Sequence, residues 1–205
     1  MKNQNYICID GNKIKIPSEK LEEIKNSIAY HQSVRLVEKK AGDIVKIGPY
    51  EFIVLEQKEN STALIVNELL KENVKFGENN DYRGSNVQKK CREFAKALES
   101  IVGADNLLEH DVDLTSDDGL KDYGTIREKA SLLTTDLYRR YVDVLDMNRL
   151  QQYYWLVTPY STPRHEDNTW VKCVSPRGSI YRDGFSNGNF GVRPFCILKS
   201  DIFVS

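Results

Sequence analysis

The sequence predicts an α+β fold of antiparallel strands with two or three helices. Apolar runs bounded by Gly, Pro, Asn and Ser recur at residues 6–16, 43–66 and from 153 onward, the pattern of short strands between tight turns. Helical spacing of apolar side chains is confined to three stretches, near residues 21–28, 87–101 and 137–145. Strands follow one another directly in the first half, so a meander is expected there.

Residues 6–9 and 13–16 flank Asp10-Gly11-Asn12 and read as a β-hairpin, with Gly11 supplying the positive φ of the turn. Pro17-Ser18 opens a helix whose inner face is Leu21, Ile24 and Ile28, with Glu22, Glu23 and Lys25 outward. The polar stretch that follows sets a boundary near residue 40, leaving residues 1–40 as an appendage and 43–205 as the main domain. Residues 43–47, 50–56 and 62–66 are three strands; Phe52, Ile53, Val54 and Leu55 in succession require cover on both faces. Ser85 and Gln88 form a capping-box pair before the stripe Val87, Cys91, Phe94, Leu98, Ile101, and Gly103 closes that helix. A third helix starts at Thr134 or Thr135 with Leu137, Tyr141, Val144 and Leu145 inward. Residues 153–157, 170–174, 179–181 and 192–198 are short strands joined by long polar loops.

A chain of 205 residues with 40 % hydrophobic and 10 % aromatic content can bury a core without metals or disulfides. With 29 basic and 30 acidic residues there is little surplus for a phosphate-binding face, so direct nucleic-acid binding is not expected. The basic run Lys89-Lys90-Cys91-Arg92 reads as a solvated helix face. No apolar leader opens the sequence and no run approaches the ~20 residues of a membrane span, which points to the cytoplasm and away from a membrane. The four cysteines (Cys8, Cys91, Cys173, Cys196) are far apart and read as reduced, mostly buried thiols, and Asn60-Ser61-Thr62 as a turn.

The chemistry-bearing patterns are incomplete. Gly184-Phe185-Ser186-Asn187-Gly188 matches a nucleophile elbow in letters, but lacks the preceding apolar strand, the following helix and a downstream histidine. The acidic run of residues 109–119 fails as an EF-hand, because counting back from Gly119 puts Leu114 where a carboxylate is required. It reads instead as a polar Ω-type loop. His31, His110 and His165 have no metal-ligand spacing, and no phosphate-binding glycine loop occurs, so no metal and no cofactor is expected. What remains is the concentration of Tyr, Trp, Phe and Arg in the last quarter, the mixture that interface hot spots favour. Trp155, Trp170 and Phe195 are assigned to the core; Tyr160, Arg164, His165, Arg182 and Asn187 are the candidate binding residues on loops.

Residues 154–159, 170–178 and 187–195, with Asp113-Leu114-Thr115-Ser116-Asp117-Asp118-Gly119-Leu120 and the ending Cys196-Ile197-Leu198-Lys199-Ser200-Asp201, resemble a domain family without an assigned activity. That family is common in gut Firmicutes, their prophages and conjugative elements, and Gly191-Val192-Arg193-Pro194 is the most specific part of the likeness. More distantly, the C-terminal part is similar to C-type-lectin-like and formylglycine-generating-enzyme-like domains. That similarity implies long loops around short strands and a structural role for Arg193, although the calcium-ligand triplets, the disulfide framework and the close cysteine pair of those domains are missing. Together these readings lead to a non-catalytic recognition protein of a phage or mobile element, binding a host or phage protein through its C-terminal loops. A sharper form is a counter-defence inhibitor, for example of a CRISPR effector nuclease, with the acidic stretch 105–122 imitating phosphates. The alternatives are an enzyme using Cys173, Cys196 or an unrecognised metal, and a small-ligand or glycan binder.

Overall fold

The computed structural model describes residues 6–9, 12–17, 20, 21, 23, 24 and 33–205. In chain order these form β1 (Tyr6–Ile9), β2 (Asn12–Lys15), β3 (Val34–Arg35), β4 (Ile44–Ile47), β5 (Tyr50–Gln57), β6 (Ser61–Val66), α1 (Asn86–Val102), β7 (Leu107–Leu108), β8 (His110–Asp113), β9 (Thr125–Glu128) and β10 (Ala130–Ser131). After these come α2 (Thr135–Arg140), α3 (Val142–Met147), β11 (Tyr154–Pro159), β12 (Trp170–Val174), β13 (Ile180–Gly184), β14 (Phe195–Lys199) and β15 (Phe203–Val204). All strand pairs are antiparallel. The fold is α+β.

The expected N-terminal hairpin is β1 with β2, Ile7 opposite Ile14. Helical backbone follows at Lys20, Leu21, Glu23 and Ile24, where the Leu21 N–H donates to the Pro17 carbonyl (3.1 Å). The readings of Gly11, Ser18, Glu22, Lys25, Ile28, His31 and the Cys8 thiol lie outside the described residues.

The central sheet runs β10-β14-β6-β5-β4, with β7 sharing the outer edge of β14 end to end with β10. The β4–β5 turn has Gly48 at φ 58° and Pro49 next, the sign pattern of a type II′ turn. Strand β5 is covered on both faces, as its apolar run requires. Phe52 and Val54 pack with Leu64, Cys196 and the α1 residues Phe94, Ala95 and Leu98. Ile53 and Leu55 pack with Phe195, Tyr138, Tyr141, Leu145 and Leu156. A register shift between Val54 and Glu56 re-aims Glu56 toward α2 and α3, where it accepts from the Tyr141 hydroxyl (2.8 Å) and pairs with Arg140. Helix α1 is capped by the Ser85 hydroxyl, which accepts from the Gln88 N–H (3.1 Å). The reciprocal bond departs from a capping box: Gln88 Oε1 takes the Gly84 N–H instead. Ile101 leaves the stripe and is 43 % exposed beside Gly48.

The second sheet, β11-β12-β13, lies against the helix α2–α3 side. Trp155 fills its interior at 0 % exposure, stacked on Phe190 (4.3 Å) and donating its indole N–H to the Val74 carbonyl (2.7 Å). The stretch before β14 explains the Gly-Val-Arg-Pro pattern. A Cβ at Gly191 would lie 2.3 Å from Leu69 Cδ1, so only glycine fits without displacing that side chain. Val192 is fully buried, and Arg193, 1 % exposed, donates to the carbonyls of Val66 (2.9 Å) and Asn67 (3.1 Å). The Pro194 carbonyl accepts from the Val66 N–H (3.0 Å). The motif locks the entry of β14 to the end of β6.

Two boundaries differ from expectation. Residues 34–37, placed in the appendage by the sequence, are tied to the C-terminal end of the main domain: β3 pairs with β15, Leu36 is fully buried, and Leu36 and Val37 donate to the Ile202 and Ser200 carbonyls (2.8 Å each). An edge segment held by backbone bonds shows no apolar period. The acidic run is likewise only partly loop: residues 110–113 are β8, and 114–124 form the tip of the β8–β9 hairpin. Among the described residues no helix is long and apolar enough to cross a membrane.

Candidate functional site

Strand β12 alternates. Val171 and Cys173 point into the core, so Trp170 and Lys172 take the opposite face, where Lys172 sits across from Arg182 of β13. Trp170 is 39 % exposed, which corrects its assignment to the core: the interior place is taken by Trp155. The Arg182 guanidinium lies 3.8 Å from the centre of the Tyr160 ring and 5.6 Å from that of Trp170. Lys172 Nζ stands 5.8 Å from the same Tyr160 ring. Tyr160 is held at the end of β11 by its N–H donating to the Trp170 carbonyl (2.9 Å). Lys172 Nζ also donates to Asp117 (3.0 Å), and Arg139 approaches that carboxylate at 3.9 Å while pairing with Asp136 at 3.0 Å. The result is one outward face of two aromatic rings and two cations, bordered by a fixed carboxylate.

The acidic loop and the 160–169 loop bind each other. Asp118 accepts from the Ser161 hydroxyl (2.6 Å), from Ser116 and from His165 Nδ1 (3.0 Å); Asp122 accepts from Thr162 (2.6 Å) and Arg164. Desolvation pushes the Asp118 carboxyl up, but the hydrogen bonds from Ser116, Ser161, His165 and the Leu120 N–H outweigh it and hold the group at about 2. Beneath them Asn80, 0 % exposed, donates to the Ser161 (3.0 Å) and Trp170 (3.2 Å) carbonyls and accepts from Tyr123 (2.7 Å). Asn80 carries no sequence signal; a polar residue between two loops looks like any other.

Of the five candidate binding residues, Tyr160 and Arg182 therefore meet. Arg164 and His165 are exposed but anchor the acidic loop, and Asn187 sits in the turn after β13, its amide on Asp183 (3.1 Å) and its carbonyl on the Asn189 N–H (3.0 Å). Lys172, Asp117 and Trp170 belong to the face and were not among the candidate binding residues; strict alternation along β12 is the signal that finds Lys172 and Trp170, whereas Asp117, on the β8–β9 hairpin, carries none. Asp117 and Asp122 are ion-paired with Lys172 and Arg164, and Asp118 takes hydrogen bonds from Ser116, Ser161 and His165, so all three carboxylates are engaged within the chain.

The chemistry available elsewhere is limited. Ser161, Asp118 and His165 are in contact with the carboxylate in the middle, so the histidine is not placed against the serine hydroxyl, and a carboxylate held at about 2 is a weak base for it. Burial pushes the thiols of Cys91 and Cys173 up to about 12 and Cys196 higher still, which keeps them protonated and unreactive. Among the described residues no cluster of three His, Cys, Asp or Glu side chains can hold a metal. Within the run at Lys89–Arg92, Lys90 pairs with Glu93 (2.6 Å) and Arg92 with Glu128 (2.7 Å), which also accepts from Gln88 (2.6 Å), while Lys89 is exposed. Comparison with family models, with curated proteins and with solved structures found no match.

Proposed function

We propose that this chain is a non-catalytic recognition protein that binds a protein partner through the outer face of β11–β13. The observation that carries the reading is the Arg182 guanidinium lying against Tyr160 and Trp170. Three large side chains on one exposed face are ordered before any partner arrives, which lowers the entropy lost on binding. Tyr, Trp and Arg are the residues on which interface energy concentrates. The buried, protonated thiols count against the cysteine-enzyme alternative.

The resemblance to domains of prophages and conjugative elements, and the likeness to C-type-lectin-like domains, belong to this reading and supply the setting: a host protein, with a counter-defence role as its sharper form. Such a role would act through the Tyr160–Arg182 face, because the acidic loop is engaged within the chain. The test is affinity capture from host lysate with the wild-type chain, a Tyr160→Ala/Arg182→Ala double variant and an exposed-site control, Lys96→Ala. Partner recovery is expected to fall at least about ten-fold in the double variant alone. Equal recovery with all three refutes the reading. For the counter-defence form, plasmid-transfer efficiency with and without the gene decides, and no difference ends it.

A further inference from the structure

Strand β13 is the outer strand of its sheet and has β12 as its one strand partner among the described residues. The ladder can be phased from its two ends. The Ser175 N–H donates to the Ser179 carbonyl, and the Phe185 N–H to the Thr169 carbonyl, both at 2.9 Å. Both pairs fall in the register that sets Cys173 opposite Tyr181 and Val171 opposite Asp183. Hydrogen-bonded pairs alternate along an antiparallel ladder, so Tyr181 and Asp183 turn their backbone groups to β12. Ile180, Arg182 and Gly184 turn theirs outward. Gly184 is served locally, its N–H on Asp183 Oδ1 (2.7 Å) and its carbonyl accepting from the Asn187 N–H (2.9 Å). The N–H and C=O groups of Ile180 and Arg182 are left facing out from the sheet edge.

The same edge carries a surplus of positive charge: Asp183 of β13 alternates to the opposite face from Arg182 and takes hydrogen bonds from the Gly184 N–H and the Asn187 amide, against two arginines. Lys172, Arg139, Arg149 and Arg164 each have a carboxylate partner. Arg177, exposed in the turn before β13, and Arg182 have none within ion-pair distance among the described residues. Stacking on Tyr160 engages the face of the Arg182 guanidinium and leaves its edge N–H groups available to a carboxylate.

We infer that β13 accepts an extended acidic segment of the partner as an added strand, hydrogen-bonded to the backbone of Ile180 and Arg182 with its carboxylates on Arg177 and Arg182. The inference rests on the recognition reading above and names the chemistry of the partner. Backbone bonds would supply register-independent affinity, and the arginine pair would select charge. A second copy of this chain adding β13 to β13 would set arginine against arginine, which disfavours self-pairing.

The probe is a displayed library of short random peptides panned on the full chain. Enriched peptides are expected to carry two acidic residues separated by β-branched ones, and their binding should slow hydrogen exchange at the Ile180 and Arg182 amides. N-methylation of alternate peptide amides should weaken them by roughly ten-fold or more. Panning an Arg177→Glu/Arg182→Glu variant, checked for an unchanged melting curve, should select basic peptides instead. Enrichment without acidic residues, binding that leaves the two amides unprotected, no enrichment, or a dimer joined at β13 each overturn strand addition. Those failures are separable from failure of the recognition reading: peptides that lose binding in Tyr160→Ala yet leave the Ile180 and Arg182 amides unprotected keep the face and discard the strand.

Discussion

Acidification is expected to destabilise this protein through His110, and the size of the effect follows from its surroundings. His110 opens β8, edge-on to Phe195 at 5.1 Å, with Nε2 bonded to the Ser131 hydroxyl (2.9 Å). Nδ1 is buried and has no partner at hydrogen-bonding geometry. Desolvation lowers the ring from 6.5 to about 4, against smaller upward pulls from Glu128, the Leu108 carbonyl and Asp111. The unfolded chain therefore binds a proton at higher pH than the folded one. The stability His110 contributes is fully present above its unfolded value of 6.5 and is lost as pH falls toward about 4. The full loss is roughly 3 kcal/mol, and about 2 kcal/mol has gone by about pH 5. For a chain of this size that lowers Tm by about 4–8 °C. Urea unfolding at about pH 7 and about pH 5 on the wild-type chain and His110→Phe, which keeps the ring contact and cannot titrate, isolates the term. The wild-type chain should lose about 2 kcal/mol more than the variant between the two conditions. Equal losses would show that the ring is not held neutral by burial, and the reasoning would fail.

Three further outcomes follow from the packing. Gly191→Ala should cost about 1–3 kcal/mol by overpacking against Leu69, and adding Leu69→Ala should recover part of it in a double-mutant cycle; strict additivity would refute the contact. Arg193→Met should cost about 3 kcal/mol in urea unfolding, because the buried Val66 carbonyl and the half-buried Asn67 carbonyl lose a charged donor, and a change below about 0.5 kcal/mol would remove the clamp role. Iodoacetamide labelling followed by peptide mapping should leave Cys91, Cys173 and Cys196 unmodified in the native chain and modify them in urea; a fast-labelling native thiol among the three would reopen the cysteine-enzyme alternative.

How much of this was readable from the residues depends on whether the constraint was periodic. The Phe52–Leu55 run announced a strand covered twice, and the stripe from Val87 to Leu98 announced a helix, because burial repeats at the period of the backbone. Leu36 in the core and β3 against β15 were missed, since two-residue strands held by backbone bonds leave no period to read. Trp170 was misplaced for a related reason: two tryptophans on neighbouring strands look equally apolar, and only the phase of Val171 and Cys173 sends one inward and the other out. The loop residues were harder still. Arg164, His165 and Asn187 had the composition of a binding set, yet three of the five candidates hold loops in place. A charged side chain on a long loop is drawn first to the nearest opposite charge in its own chain, and the β8–β9 hairpin carries Asp118 and Asp122 to within reach of Arg164 and His165. Arg182 escapes that fate because its strand places it beside aromatic rings rather than carboxylates. The distinction between a binding arginine and a structural one therefore turns on whether the fold delivers a carboxylate to it, a property of pairing between distant segments that no local pattern records. By that criterion Arg177 and Arg182, beside the β13 edge, are left without a carboxylate among the described residues, and Arg164 is not.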